Sequence, residues 1–166
     1  MSDEVQSENV LGLDEAYSVK TPDDNRRLYA KWALTYESSF VDAKQYRYPK
    51  AIAEAFNEVV GPVIRVLDIG TGTGLTGMYL TRLRPKVVID GMDISPEMLA
   101  QAKLKLREGG SVVYRALYER DLTKTVPNEN EGYEALFSSG TFTHGHLGPE
   151  SLRNLLPLLI HNGWLV

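Results

Sequence analysis

The spacing of apolar side chains changes near residue 61 and divides the chain into two regimes. Ahead of that point, large apolar groups recur at helical intervals. Tyr29, Trp32 and Tyr36 stand three and four residues apart, which puts all three rings on one helical face, and a second helix follows Pro49. Such a face packs on a core or closes over a ligand, and one helix can do both. After Gly61-Pro62, short β-branched runs alternate with helical stretches. Residues 63–67 read as a strand buried on both faces, 75–83 as a helix and 86–92 as a second strand. Ser95-Pro96 supplies an N-cap and a first-turn proline for a helix that carries Met98, Leu99, Ala102 and Leu106 and stops at Gly109-Gly110. Residues 111–117 make a third strand and 133–138 a fourth. Residues 149–160 read as a helix ending at Asn162-Gly163, with 164–166 starting a fifth strand. This alternation predicts the α/β class: a doubly wound, mainly parallel sheet with helices on both faces and right-handed crossovers.

Composition adjusts that picture. At 166 residues, with 43% hydrophobic and 24% charged side chains, the chain suits one core. Residues 1–14 are acidic and poor in large apolar groups, so they read as a mobile tail. Residues 15–60 form an N-terminal helical lid region, and 61–166 form the core. A net charge of -4 gives no general attraction to a phosphate backbone, so small molecules, not nucleic acid, are the expected partners. The absence of cysteine removes disulfides, thiolate metal sites and cysteine nucleophiles. The opening MSDEVQSENV lacks the basic and apolar parts of a signal peptide, and no run is long enough for a bilayer. A cytoplasmic protein without a membrane partner is expected.

In parallel sheets ligands bind beyond the carboxyl ends of the strands. Here the first strand runs into Asp68-Ile69-Gly70-Thr71-Gly72-Thr73-Gly74. Alternating glycines let the backbone turn sharply and approach a ligand, and the following helix offers unpaired N–H groups. An adenosine-bearing ligand suits that turn, and two kinds compete. Gly72, Gly74 and Gly77 satisfy G-x-G-x-x-G, and Asp93 follows the next strand, as in nicotinamide dinucleotide sites. Against that, Asp68 would repel a pyrophosphate and attract an ammonium.

The pattern Asp68, Gly70, Gly72, Gly74 resembles motif I of class I S-adenosylmethionine-dependent methyltransferases. Gly91-Met92-Asp93-Ile94-Ser95-Pro96-Glu97-Met98-Leu99 is similar to that family's second-strand segment. The stretch from Ser138 to Pro149, with the lid residues from Tyr29 to Tyr36, resembles small Williams-Beuren-region-like members. The resemblance covers roughly residues 28–166. It implies a Rossmann-like core with S-adenosylmethionine as cofactor. Asp68 would attract the methionine ammonium directly or through water, Gly70, Thr71, Gly72 and Gly74 would form the cradle, and Asp93 would hold both ribose hydroxyls. Ile94 and Met98 would flank the purine, Asp121 and Leu122 would lie by the adenine, and Tyr36 and Ser138 would complete the cofactor set. The implied reaction is in-line methyl transfer to a small-molecule acceptor, with His144 or His146 as general base. His161, at a predicted helix end, has a structural role, and two loop histidines are too few for a metal site. Family members continue past the fifth strand, whereas this chain stops at Val166, so a truncated sheet with an exposed edge is expected, open to homodimer pairing. Two alternatives stay open: a non-catalytic S-adenosylmethionine-binding or interaction module, and an NAD(P)-dependent oxidoreductase.

Overall fold

The computed structural model describes residues 19–38, 46–127, 132–143 and 146–166; the acidic tail 1–14 and His144 lie outside them. Five strands, β1 (Arg65–Ile69), β2 (Val88–Asp93), β3 (Tyr114–Glu119), β4 (Tyr133–Ser138) and β5 (Leu159–Leu165), form one sheet in the order β3-β2-β1-β4-β5. Every pairing is parallel. The helices are α1 (Pro22–Trp32), α2 (Tyr48–Val59), α3 (Leu75–Leu83), α4 (Pro96–Lys103) and α5 (Leu152–Leu155). The chain moves outward from β1 through β2 to β3, then returns to pair β4 with the other side of β1. The crevice above β1 and β4 is therefore the topological switch point, where doubly wound sheets bind ligands.

Alternate residues of the central strands feed two cores. Val66, Ile89 and Phe137 face a cluster with Phe56 of α2 and Leu80 of α3, where the Phe56 and Phe137 rings meet edge to face at 5.7 Å. Leu67, Ile69 and Leu136 face the opposite cluster with Leu155 and Leu158. Helix α2 is thus a core layer, since Ala53 and Phe56 are fully buried. Helix α1 reaches over the strand ends, where Tyr48, Pro49 and Ile52 at the start of α2 also line the crevice. Helix α1 starts with a capping box in which Thr21 and Asp24 satisfy each other's backbone N–H groups, and Pro22 fills the first turn. Arg26 ties it down, donating from Nε to the Ile94 carbonyl at 3.2 Å and pairing with Glu119 at 3.0 Å. A second tie joins Glu37 to Lys105 at 2.6 Å.

Two predicted elements differ from the fold. The helix opened by Ser95 ends at Lys103, and Leu106 lies beyond it in an antiparallel bridge with Val112. Gly109 and Gly110, both at positive φ, reverse the chain between those two residues, so β3 starts only at Tyr114. The predicted helix over 149–160 is broken up. A 3-10 turn at Pro149–Ser151, the single turn α5 and a 3-10 turn at Leu156–Leu158 precede a strand that already starts at Leu159. Pro157 has no N–H for a bond to the fourth carbonyl back, which ends the α-helical ladder. His161 accordingly sits exposed within β5 and caps no helix. Asn162-Gly163, expected as a helix stop, instead forms a bulge: Tyr133 pairs with Leu159, but Ala135 pairs with Trp164. Asn162 takes φ 63 there, in the left-handed region that asparagine tolerates better than most residues.

Candidate active site

A cavity of about 520 Å³ opens above β1 and β4, roofed by α1. That volume lies in the range of small-molecule sites, about 300–1,000 Å³. Its floor is the glycine turn. The N–H groups of Gly70 and Thr71 both donate to the Met92 carbonyl, at 2.9 and 3.0 Å, and the Thr71 hydroxyl donates to the Asp68 carbonyl at 3.1 Å. Gly72 sits at φ 53, and a Cβ built on it would meet nothing within 4 Å. This residue therefore leaves its backbone open to the cavity that it lines.

Asp93, at the end of β2, braces that turn. Its Oδ2 accepts the Gly72 N–H at 2.7 Å and its Oδ1 accepts the Ser95 N–H at 2.9 Å. Burial raises its carboxyl above the ordinary range, opposed by the Ser95, Gly72 and Ile94 backbone donors. Next to it Ile94, Met98 and Leu122 supply apolar wall. Asp121 also lines the cavity, but its Oδ1 accepts from the Thr123 N–H and hydroxyl, and its Oδ2 pairs with Lys124 at 3.1 Å. Partial burial works against its charge, yet the Thr123 and Lys124 contacts prevail and lower its pKa. On the β4 side, Ser138 donates to the Ile69 carbonyl at 2.8 Å. The buried Ser139 hydroxyl in the same wall has no hydrogen-bond partner among the described residues.

The other end of the cavity is aromatic. Tyr29 stacks on Trp32 at 6.0 Å, Trp32 meets Tyr36 edge-on at 5.1 Å, and Tyr29 meets Tyr36 at 6.5 Å. Burial, then the neighbouring phenols and the Asp93 charge, push the Tyr36 phenol well above its usual pKa, so it stays neutral. His146 reaches this end from the loop after β4. Its Nε2 lies 2.8 Å from the Tyr29 hydroxyl and its Nδ1 lies 3.1 Å from Thr143 Oγ1. Among the described lining residues the only Asp, Glu, Lys or Arg are Asp93, Arg120 and Asp121.

Of the expected cofactor residues, Tyr36, Gly70, Thr71, Gly72, Asp93, Ile94, Met98, Asp121, Leu122 and Ser138 line one cavity. Asp68 and Gly74 do not. Strand alternation turns Asp68 away from the cavity and beneath the turn, where it is 1% exposed and accepts the Tyr114 hydroxyl at 2.7 Å. The expected direct attraction of Asp68 for an ammonium is corrected accordingly. Gly74 caps α3 in the left-handed conformation, and a Cβ there would meet Tyr114 Cε2 at 2.8 Å. Gly77 faces the same ring. Two of the three glycines of the dinucleotide-like pattern therefore admit Tyr114 to its buried partner and touch no ligand space. Sequence reasoning placed Tyr29 on a face that could close over a ligand but gave no wall role to Tyr46, Ser139, Thr141 or Thr143.

The buried pair has a consequence for pH. Burial pushes the Asp68 carboxyl up from 3.8 to about 7, the Tyr114 hydrogen bond pulls it down and the Asp93 charge adds to the rise. With the folded value above the unfolded one, the stability from this group is fully present below the unfolded pKa and is lost as pH rises through the folded one. Asp68→Asn cannot ionise. Urea denaturation should show wild type losing up to about 4 kcal/mol more than Asp68→Asn between about pH 4 and pH 8. Parallel pH profiles for the two proteins would contradict this.

A family profile described as a methyltransferase domain matches residues 66–163, more than half of the chain. The chain belongs to the methyltransferase-domain family. It is 30% identical over 92 residues to the tRNA1(Val) (adenine(37)-N6)-methyltransferase of Parabacteroides distasonis, covering 55% of this chain and 38% of that protein. It is 36% identical over 95 residues to the phosphatidylethanolamine N-methyltransferase of Cereibacter sphaeroides, covering 57% and 43%. The chain thus spans under half the length of these curated relatives. Among solved structures, coclaurine N-methyltransferase bound to N-methylheliamine and S-adenosylhomocysteine (SAH) superposes with a TM-score of 0.58 at 17% identity, over 70% of this chain and 34% of that one. The plantazolicin methyltransferase in complex with a triazolic analog and SAH gives 0.54 at 22%, over 84% and 57%. At these identities the likeness carries the fold, a Rossmann-like methyltransferase sheet. No helix among the described residues is long and apolar enough to cross a membrane.

Proposed function

We propose that this methyltransferase-domain chain binds S-adenosylmethionine in the cavity above β1 and β4 and transfers its methyl group to a small-molecule acceptor. The residues present fit that cofactor. A carboxylate offers about four lone-pair sites. Asp93 accepts from the Gly72, Ser95 and Ile94 backbone donors, which leaves acceptor capacity for a ribose hydroxyl. Ile94, Met98 and Leu122 suit a purine face, the open Gly72 backbone suits close approach, and the unpartnered Ser139 hydroxyl suits a polar ligand group. When bound, S-adenosylmethionine supplies an electrophilic methyl on a sulfonium whose leaving group is a neutral thioether.

The protein's own work is alignment and exclusion of water. Helix α1, tied down through Arg26, covers the site, and its rings wall the acceptor end. His146 is the candidate proton acceptor for an O–H or N–H nucleophile. The chemistry of the acceptor end carries the small-molecule reading. It is aromatic, and Arg120 is the one Lys or Arg among the described lining residues, a sparse complement for a phosphodiester backbone. The relatives named for tRNA and lipid acceptors make the test specific. Protein supplied with methyl-labelled S-adenosylmethionine is incubated separately with a small-molecule filtrate and with total RNA from a cell extract. Label in the filtrate products is expected; label confined to RNA would overturn the small-molecule acceptor.

A further inference from the structure

One chain of hydrogen bonds runs along the cavity wall from α1 to the loop after β4. Tyr29 on α1 meets His146 Nε2, and His146 Nδ1 meets the Thr143 hydroxyl. All three residues line the cavity. The His146 N–H also donates to the Thr143 carbonyl at 3.1 Å. Both ring nitrogens of His146 are therefore engaged by side chains. A phenol donates one hydrogen bond and has lone pairs with which it can accept others.

A neutral imidazole carries one N–H, so the chain has a direction. Phenol is the stronger acid of the possible donors at the Tyr29 contact, with a usual pKa of about 10, and imidazole nitrogen is a better base than phenol oxygen. The favoured arrangement is Tyr29 O–H donating to Nε2, with Nδ1–H donating to Thr143 Oγ1. The opposite tautomer would also make two bonds, Nε2–H to Tyr29 and Thr143 O–H to Nδ1. The preference therefore rests on phenol being the better donor and imidazole nitrogen the better acceptor.

We infer that Thr143, His146 and Tyr29 form a proton-accepting relay, and that Tyr29 is the catalytic residue that meets the acceptor. This rests on the methyl-transfer reading above. As the acceptor's O–H or N–H bond breaks, its proton moves to the Tyr29 oxygen while the Tyr29 proton moves to His146 Nε2. The electron pair left on the acceptor heteroatom forms the new bond to the methyl carbon, and the carbon–sulfur pair leaves with sulfur. A neutral acceptor and a sulfonium thus become a neutral methylated product, a neutral thioether and an imidazolium, which Nδ1–H keeps bonded to Thr143. Because Tyr29 belongs to α1, the relay is assembled only when that helix is docked by Arg26 on Ile94 and Glu119.

The test uses the full chain labelled with ¹⁵N-histidine, with and without SAH, and His146→Gln to assign the resonance. Long-range NMR above the imidazole pKa should show His146 with Nδ1 protonated and Nε2 bare as the major tautomer. Thr143→Val should move the population toward Nε2–H. An Nε2–H imidazole in wild type overturns the relay, because it would donate to Tyr29 and could not take its proton. With the small-molecule filtrate as acceptor source, Tyr29→Phe should slow label transfer by about 100-fold near neutral pH and recover as pH rises. A loss independent of pH would mark Tyr29 as structural and overturn its assigned role. Calorimetry on the same samples separates the two levels. Absence of SAH binding removes the methyl-transfer reading and the relay with it, whereas SAH binding with an Nε2–H imidazole removes the relay alone.

Discussion

Asp93→Ala is expected to weaken SAH binding by about 100- to 1,000-fold, measured by calorimetry against wild type. Two losses add. The side chain that would accept from a ribose hydroxyl disappears, and a hydrogen bond to a charged acceptor is worth about 1.5–3 kcal/mol. The Gly72 and Ser95 N–H groups, bonded to Asp93 at 2.7 and 2.9 Å, also lose their partner, which loosens the turn that forms the floor. Asp93→Asn separates these contributions: it keeps an oxygen for one of the two N–H groups but turns the other position into a donor facing a donor. Its affinity should fall between those of wild type and Asp93→Ala. Unchanged SAH affinity in Asp93→Ala would remove Asp93 from the cofactor site.

The second large effect is on folding. Gly77 lies inside α3, where replacing glycine by alanine ordinarily stabilises a helix by about 1 kcal/mol. Here the opposite is expected. An added Cβ would sit 2.6 Å from Tyr114 Cζ and 3.1 Å from its Cε1, and the ring cannot move aside because its hydroxyl is held by the buried Asp68. Overpacking of this kind costs about 1–3 kcal/mol, so Gly77→Ala should lower stability by roughly 2 kcal/mol in urea denaturation. In a Tyr114→Leu background, the same change should be neutral or stabilising. Equal destabilisation in both backgrounds would show that Tyr114 is not what requires glycine there.

Much of this architecture was legible because it rests on periodicity. The strand-helix alternation after residue 61 gave the parallel sheet, and the rule that ligands bind beyond strand ends led to Gly70, Gly72 and Asp93, which do line one cavity. What escaped depended on direction and distance. Asp68 stands in the motif beside the cavity residues, but a strand points successive side chains to opposite faces, and sequence position alone did not say which face would be ligand space. The same blindness made Gly72-x-Gly74-x-x-Gly77 look like a dinucleotide fingerprint, because only the structure brings Tyr114 under α3 to use two of those glycines. The last predicted helix was lost to a local effect, the missing N–H of Pro157. The contact between Tyr29 and His146 joins residues 117 positions apart, and no local pattern encodes it.

Calorimetric titration of the purified chain with SAH and, separately, with NAD tests the central claim most directly. Saturable binding of SAH at one site per chain, without measurable heat from NAD, is the predicted result. Tight NAD binding with no response to SAH would contradict the cofactor assignment and return the glycine turn to a dinucleotide.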